Sequence, residues 1–334
     1  MSPTTSYLPL KALGLSALCL FVLCTLSLLV GAGDVGPLES LHALFGQGTE
    51  NALFTVYELR WARTELGLLV GVALGVAGLL MQAVTRNPLA EPGLLGVSAG
   101  SSFAVVLAIL LGATTATTYL SAAFVGAMGG CLLVMLVMRM RGVGDDPIRL
   151  VLAGAAFTAL LQAGTSMVLL SDQRTADEIR FWVVGGVAGR PLETFSWALP
   201  GLLLGILVAL PMIRPLAALA LGEHVAKGLG HHPHLVRLTV LFAVALLVGT
   251  ANAAAGPIAF LGLIVPYIAR RFVGTDIRRL LGVCILLGPC VLLLADIVSR
   301  VAVRPYELPV GVMTAFIGAP ILIAVVRTRR LPTL

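Results

Sequence analysis

Apolar runs of about 20 residues recur along the whole sequence, with short polar breaks between them. A helix of this length crosses the roughly 30 Å hydrocarbon core of a bilayer. Of the 334 residues, 58% are hydrophobic and 11% are charged, well below the roughly 25% charged residues of soluble domains. The alternating pattern of a transmembrane barrel is missing, and lipid leaves no backbone polar group unpaired. The sequence therefore predicts an all-α integral membrane protein.

The polar breaks divide the chain into ten predicted transmembrane helices. They cover residues 9–31, 62–84, 94–113, 118–140, 148–170, 192–212, 236–256, 257–273, 280–302 and 309–327. The whole chain, residues 1–334, is expected to form a single transmembrane domain. Its weakest boundary lies at Ala255, Gly256 and Pro257, where two spans meet with almost no polar loop between them.

Basic residues are unevenly divided between the two sides of this predicted arrangement. With the amino terminus inside, 15 of the 22 Lys and Arg residues lie on the inner side and 7 on the outer side. Cytoplasmic loops of membrane proteins carry such an excess of Lys and Arg. The pattern predicts a multi-pass protein with both termini in the cytoplasm. Because the basic residues are spread over loops rather than massed on one face, nucleic acid is not an expected partner.

The second predicted span carries glycines at helical spacing, namely Gly67, Gly71, Gly75 and Gly78. Such a stripe lets another helix backbone approach closely. Packing against a helix of the same chain is the favoured interpretation, and a contact between two subunits is the alternative.

A short internal repeat is also visible. The spacing of Pro88, Ala90, Gly93 and Leu94 recurs in Pro257, Ala259, Gly262 and Leu263. Transporters often contain internal repeats, and one short match indicates such a duplication only weakly.

The distribution of charge within the spans bears on how transport is driven. Ion-coupled transporters place ionisable side chains near the bilayer midplane, whereas the span centres here are nearly free of charge. Glu65 and Asp296 lie toward helix ends, and Asp296 is four residues before Arg300, which predicts a local ion pair. An ion-coupled secondary transporter therefore remains only an alternative.

No phosphate-binding loop of the G-x-x-x-x-G-K-[ST] type occurs, so energy from ATP must come from a partner chain. The five cysteines lie in apolar runs, and His231, His232 and His234 lack a companion ligand set. Catalytic clusters of nucleophile, base or metal ligands are missing as well. The chain is expected to be neither an enzyme nor a metal-binding or cofactor-binding protein.

Four strings resemble FecCD-type permeases of type II ABC importers for ferric siderophores, haem and cobalamin. They are R-N-P-L-A-E-P-G-L-L-G-V-S-A-G (86–100), G-P-I-A-F-L-G-L-I-V-P-Y-I-A-R-R (256–271), L-A-D-I-V-S-R (294–300) and E-L-P-V-G-V-M-T-A-F-I-G-A-P (307–320). The resemblance spans nearly the whole chain and implies the type II ABC importer permease fold.

The resemblance also implies partners and a location. A second permease subunit, either a copy or a paralogue, would form the substrate path at the interface, in the bacterial cytoplasmic (inner) membrane. Two ABC ATPase subunits would bind the ATP, and a substrate-binding protein would deliver cargo from the outer side. Ferric siderophore is the favoured cargo, with cobalamin and haem as alternatives.

Three arginines match positions that dock the binding protein in similar permeases, namely Arg60, Arg63 and Arg300. There they pair with glutamates on the two lobes of the binding protein, so we expect them to be exposed on the outer side. The alternative is that these side chains extend to the lipid headgroups.

Two further regions are implied on the inner side. Asn87 and Leu89 resemble the inner gate, in a segment where proline and glycine break helicity, as is tolerated beside a cavity. Pro147 and Ile148 take the place of a second gate. The coupling loop, residues 213–235, would fit a cleft on the ATPase and is predicted to contain a helix near residues 219–230, broken at Gly222. Its proposed contact residues are Leu221, Gly222, Glu223, Val225, Ala226, Leu229 and Gly230, with Glu223 and Lys227 spaced to pair along the helix.

Overall fold

The computed structural model describes residues 8–139, 147–303 and 306–327, and every regular element in these ranges is helical. The helices are α1 (Leu8–Leu29), α2 (Pro37–Leu44), α3 (Glu50–Phe54), α4 (Trp61–Thr85), α5 (Val97–Leu110), α6 (Ala116–Arg139), α7 (Pro147–Ser171), α8 (Gln173–Val183), α9 (Glu193–Ala209), α10 (Ile213–Ala220), α11 (Glu223–Gly228), α12 (Pro233–Ala255), α13 (Leu261–Val273), α14 (Ile277–Val301) and α15 (Val310–Arg327).

Each of the ten predicted spans corresponds to one of these helices: α1, α4, α5, α6, α7, α9, α12, α13, α14 and α15. Seven helical stretches of the described chain are long and apolar enough to cross a membrane, and α5 and α15 are shorter apolar helices. The prediction that the chain is all-α, with a helix at each of the ten predicted spans, is confirmed.

The break between α12 and α13 lies where the sequence placed its weakest boundary. The α12 helix ends at Ala255, Gly256 has a φ of 74°, and α13 begins only at Leu261. With 13 residues, α13 is about 20 Å long, too short to cross the hydrocarbon core alone. Gly256 is buried, and the Ala255 carbonyl accepts a hydrogen bond of 2.7 Å from the Gly186 amide. Protein contacts thus satisfy non-helical backbone that lipid does not tolerate.

The two copies of the short repeat meet in the folded chain. The Glu91 carboxylate, which lies between Ala90 and Gly93 of the first copy, accepts a hydrogen bond of 2.6 Å from the backbone amide of Phe260. A Cβ at Gly262 would lie 2.9 Å from the Pro92 ring. The loops before α5 and α13 therefore pack on each other inside the bundle.

The α4 helix lies at the centre of the bundle, packed against α12, α13 and α14. Its glycines allow this close approach. A Cβ at Gly71 would lie 2.5 Å from the Pro289 backbone in α14, and one at Gly78 would lie 1.9 Å from the Gly262 carbonyl oxygen in α13. The interpretation of the stripe as packing within one chain is confirmed.

Replacement of Gly78 by alanine is expected to destabilise the fold by about 1–3 kcal/mol, the usual cost of overpacking, because the new methyl group overlaps backbone that cannot move aside. Thermal unfolding in detergent micelles measures the effect. The matched control is Gly14→Ala in α1, where nothing lies within 4 Å of an added Cβ. Equal unfolding temperatures for the two variants would show that the contact between α4 and α13 accommodates the added methyl group without loss of stability.

Three features of the connections were not predicted from the sequence. The region after α1 forms α2 and α3, and a π-helical turn, Thr55–Arg60, runs directly into α4. The amphipathic α8 follows α7. Helix α10 begins at Ile213, before the predicted helical stretch of residues 219–230. The predicted break within that stretch is confirmed at Gly222, whose φ is 126° and which separates α10 from α11.

Candidate functional site

Two polar clusters lie at opposite ends of α4. The Arg63 cluster consists of Arg63, Asp296, Arg300 and Glu307, and the end of the bundle that contains it is called here the Arg63 end. The other end, at the last turn of α4, is called the Arg86 end. It contains Arg86, Asn87, Leu89 and the α10–α11 region.

The centre of the Arg63 cluster is a buried carboxylate. Asp296 is fully buried and accepts hydrogen bonds from Arg63 Nε at 2.8 Å and from Arg300 Nη2. Arg63 Nη1 also donates to Glu307 at 2.6 Å. The predicted pair between Asp296 and Arg300 within α14 is confirmed, and the same carboxylate joins α14 to α4 through Arg63.

Arg300 connects the end of α14 to the end of α1. Its side chain is 1% exposed and donates to the backbone carbonyls of Ser27 at 2.7 Å and Val30 at 3.1 Å. The Ser27 hydroxyl accepts a further bond of 3.0 Å from Arg300 and lies 2.7 Å from the Thr64 hydroxyl. The Arg300 side chain therefore donates its hydrogen bonds to backbone carbonyls and a hydroxyl inside the protein.

Arg60 makes an equivalent connection from the π-helical turn. It is 4% exposed, and its Nη1 donates to the carbonyls of Leu28 at 3.1 Å and Leu29 at 2.9 Å and to the Ser40 hydroxyl at 2.7 Å. Its Nη2 donates to the Val35 carbonyl at 3.0 Å. Arg60 thereby fixes the segment between α1 and α2.

The expectation that Arg60, Arg63 and Arg300 are exposed is wrong for this chain, since they are 4%, 8% and 1% exposed. The physical reason is that the last carbonyls of a helix have no donor within the helix. At the end of α1 the guanidinium groups of Arg60 and Arg300 supply these donors. Docking to another protein stays a prediction, and Arg63 pairs with a partly exposed partner, Glu307.

Two cavities open at the Arg63 end. A cavity of about 490 Å³ is lined by Tyr119, Trp182, Arg190 and Glu307 among others. A second, of about 280 Å³, is lined by Arg63, Arg190 and Glu307 among others. No local pattern in the sequence distinguishes Arg190 from other loop arginines, and the signal nearest to it is the glycine-rich turn that it follows before α9.

At the Arg86 end, the predicted gate residues lie in the loop after α4. The Asn87 side chain accepts a hydrogen bond of 2.9 Å from the Leu89 amide, an Asx turn that fixes the loop. Asn87 is exposed and Leu89 is partly exposed. Pro147 and Ile148 are the first residues of α7, and their side chains lie outside the described part of the structure. Gating by either pair stays a prediction.

Arg86 links this loop to the coupling loop. It caps α4 with a φ of 50°, a left-handed conformation that is unfavourable for any residue with a side chain. Its Nη2 donates to the Leu219 carbonyl at the end of α10. The gate loop and the residues before α11 are thus joined by one side chain.

The α11 helix presents an apolar stripe. The stripe consists of Leu221, just before the helix, Val225 within it and Leu229 at its end, which are 74%, 44% and 61% exposed. Ala226 is 1% exposed and packs inward. Gly222 and Gly230 flank the helix with φ of 126° and 80°. The segment thus holds apolar side chains away from the bundle.

Glu223 pairs with Arg237 of α12 rather than with Lys227, which corrects the predicted pairing along α11. The hydrogen bond from Arg237 lowers the pKa of the Glu223 carboxyl, and the positive charges of Arg86 and Lys227 act in the same direction. The tertiary contact brings a fixed guanidinium to the carboxylate, whereas Lys227 is free to extend into water.

The Glu223 pair predicts a pH dependence of the coupling loop. Because folding lowers this pKa, the stabilisation is present above the unfolded pKa of about 4.3 and is lost as pH falls through the lower folded value. Hydrogen exchange of the α11 amides, corrected for intrinsic rates, should therefore rise between pH 6 and pH 3. Glu223→Gln should remove this dependence and Glu50→Gln, in α3 at the other end, should retain it. A Glu223→Gln profile identical to wild type would contradict the assignment.

Comparison with known proteins decides the family. A profile described as the FecCD transport family matches residues 19–328, more than nine-tenths of the chain. This chain belongs to the FecCD transport family. It is a membrane-embedded permease subunit of the ABC importer type and not itself an enzyme.

Relatives and solved structures agree over almost the full length. The chain is 44% identical over 313 residues to the ferric enterobactin transport system permease protein FepD of Escherichia coli (strain K12), covering 93% of both chains. It is 37% identical over 319 residues to the iron(3+)-hydroxamate import system permease protein FhuB of Bacillus subtilis (strain 168), covering 95% of this chain and 82% of that one. A solved metal-chelate type ABC transporter in an inward-facing conformation superposes with a TM-score of 0.82 at 29% identity, covering 95% of this chain and 99% of that one.

Proposed function

We propose that this chain is a permease subunit that imports a ferric siderophore across the bacterial cytoplasmic membrane, powered by ATP. The observation that carries the proposal is the 44% identity to a ferric enterobactin permease over 93% of both chains. Other relatives are named for iron(3+)-hydroxamate and Fe(3+) dicitrate. Cobalamin and haem are the alternative cargoes within the same family.

In this proposal the Arg63 end faces outward and the Arg86 end faces the cytoplasm. The division of Lys and Arg, 15 against 7, supports that orientation, with both termini cytoplasmic. The Arg63 end would then receive the substrate-binding protein. Arg63, paired with the partly exposed Glu307, would lie nearest to such a partner. Arg60 and Arg300 would support this end of the bundle by donating hydrogen bonds to the last carbonyls of α1.

Two ATPase subunits would bind at the Arg86 end, and ATP would be held on those partner chains. The apolar stripe of Leu221, Val225 and Leu229 offers exposed apolar surface on and beside a short helix, as in helices that dock into grooves. The inward packing of Ala226 and the Glu223–Arg237 pair support the orientation of this helix. Movement of the stripe would be passed to the gate residues Asn87, Leu89, Pro147 and Ile148.

A second permease subunit, a copy or a paralogue, would pack beside α7. Only 6% of the residues in the membrane-spanning part of α7 are buried within this chain. Leu160, Met167 and Leu170 are 66%, 75% and 90% exposed. A helix so poorly covered by its own chain is available to a partner subunit and to lipid, and a substrate path at that interface follows from the same arrangement.

Uptake measurements in cells with and without the gene test the proposal. Radiolabelled iron is offered as catecholate, hydroxamate and citrate chelates, beside labelled cobalamin and haem. Loss of ferric chelate uptake alone is the expected result. Loss of cobalamin or haem uptake, with ferric chelates unaffected, would overturn the cargo assignment. A variant of the partner ATPase that cannot hydrolyse ATP should give the same loss as deletion of this gene.

A further inference from the structure

The two cavities at the Arg63 end share one stretch of wall. Ala188, Gly189, Arg190 and Glu307 line both of them. The cavities measure about 490 and 280 Å³, and sites for small molecules typically measure 300–1,000 Å³. Arg190 therefore lies at the junction of a space large enough to hold part of a small chelate.

The guanidinium group of Arg190 has unused hydrogen-bond donors. Its Nε donates to the Gly186 carbonyl at a long 3.4 Å, and no other acceptor for this side chain occurs among the described residues. Arg63 and Arg300 at the same end are bonded to Asp296. Arg190 is partly buried at the cavity junction, and its Nη1 and Nη2 atoms have no partner among the residues that the structure describes.

The charges around the smaller cavity do not balance. Among the described residues, four arginines and two glutamates line it, and the buried Asp296 behind Arg63 and Arg300 adds a third acid, which leaves one positive charge. The donors of Arg60 are occupied by backbone carbonyls and the Ser40 hydroxyl. Among the described residues that line this cavity, Arg190 is therefore the arginine with free donors.

The larger cavity adds aromatic surface next to this charge. Tyr119 and Trp182 line it, and the Tyr119 hydroxyl is held by a hydrogen bond of 3.0 Å to the Ala113 carbonyl. Val105 and Ile109 complete an apolar wall. Aromatic side chains pack favourably against other aromatic rings, and a guanidinium binds paired anionic oxygens. The combination fits a ligand that carries both anionic oxygens and aryl rings.

We propose that Arg190 binds the anionic oxygens of a ferric catecholate chelate as it enters from the Arg63 end, with Tyr119 and Trp182 packing against its aryl rings. This proposal rests on the proposed function and narrows its cargo to an anionic, aryl-bearing ferric chelate. A ferric tricatecholate is trianionic because each catecholate contributes two negative charges, whereas a ferric trihydroxamate is uncharged. The positive charge of Arg190 at the cavity junction therefore favours a ferric tricatecholate over a ferric trihydroxamate.

Uptake kinetics of the complete transporter with its binding protein, reconstituted in vesicles, test the proposal. Arg190→Gln should raise the KM for a ferric tricatecholate at least tenfold with little change in the maximal rate, and Arg190→Lys should recover part of that loss. The matched control is Arg180→Gln in α8, an exposed arginine that pairs with Asp177 at 2.9 Å. Its KM should equal that of wild type.

Two outcomes would overturn the proposal. The first is an unchanged KM in Arg190→Gln. The second is weaker binding of the Arg190→Gln transporter to cargo-free binding protein, by a factor equal to the rise in KM. That result would place Arg190 in the docking surface. Failure of the proposed function is distinguishable, because wild-type transporter would then import no ferric chelate at all. If Arg190→Gln does not fold, Arg190→Lys, which keeps the positive charge, is measured in its place.

Discussion

Replacement of Arg86 by glutamine is expected to lower uptake at least tenfold while the ATPase subunits remain bound. Among the described residues, Arg86 joins the α4 loop to the Leu219 carbonyl ahead of α11. A hydrogen bond from a charged donor contributes about 1.5–3 kcal/mol, and this one spans the gate loop and the coupling loop. Without it, movement of α11 would no longer be transmitted to Asn87 and Leu89.

Arg86→Gly separates the two roles of this residue. Its φ of 50° is one that glycine adopts without strain, so the glycine variant keeps or improves the helix cap and loses only the guanidinium. We expect Arg86→Gly to be as deficient in uptake as Arg86→Gln. Arg271→Gln, an exposed arginine near the end of α13, is the control. Uptake and ATP hydrolysis are measured in the same reconstituted vesicles, and normal uptake by Arg86→Gly would show that the link is dispensable.

Asp296→Asn is expected to destabilise the protein by roughly 3–5 kcal/mol, the typical cost of removing one partner from a buried ion pair. The substitution leaves Arg300, 1% exposed, without a carboxylate, while Arg63 keeps Glu307. The unfolding temperature in detergent micelles should fall by on the order of 10 °C. Uptake should fall with the amount of folded protein.

A control and a double variant sharpen this prediction. Asp276→Asn removes an exposed pair with Arg279 and should cost no more than about 1 kcal/mol. Combining Asp296→Asn with Arg300→Met removes the unpaired buried charge and should restore part of the lost stability. A difference below 1 kcal/mol between Asp296→Asn and wild type would mean that the network does not stabilise the Arg63 end.

Several features followed from local patterns in the sequence. Hydropathy located α4, α12 and the other spans, because a lipid-crossing helix needs a continuous apolar run whatever its neighbours are. Spacing predicted the Asp296–Arg300 pair, since residues four apart lie on one helix face. The breaks at Gly222 and Gly256 followed from residues that end helices. The docking, gate and coupling residues came from family resemblance and stay predictions of function.

What the sequence determined by itself is therefore the ten apolar helices and the Asp296–Arg300 pair within one of them. Tertiary structure decided the rest: Arg60 and Arg300 turn inward to the carbonyls of α1, Glu223 takes Arg237 instead of Lys227, and Arg190 comes to the junction of two cavities. Each of these depends on atoms contributed by distant parts of the chain. A buried polar group forms hydrogen bonds with whichever donor or acceptor the packing brings within about 3 Å. Local sequence patterns do not determine which distant residues come that close.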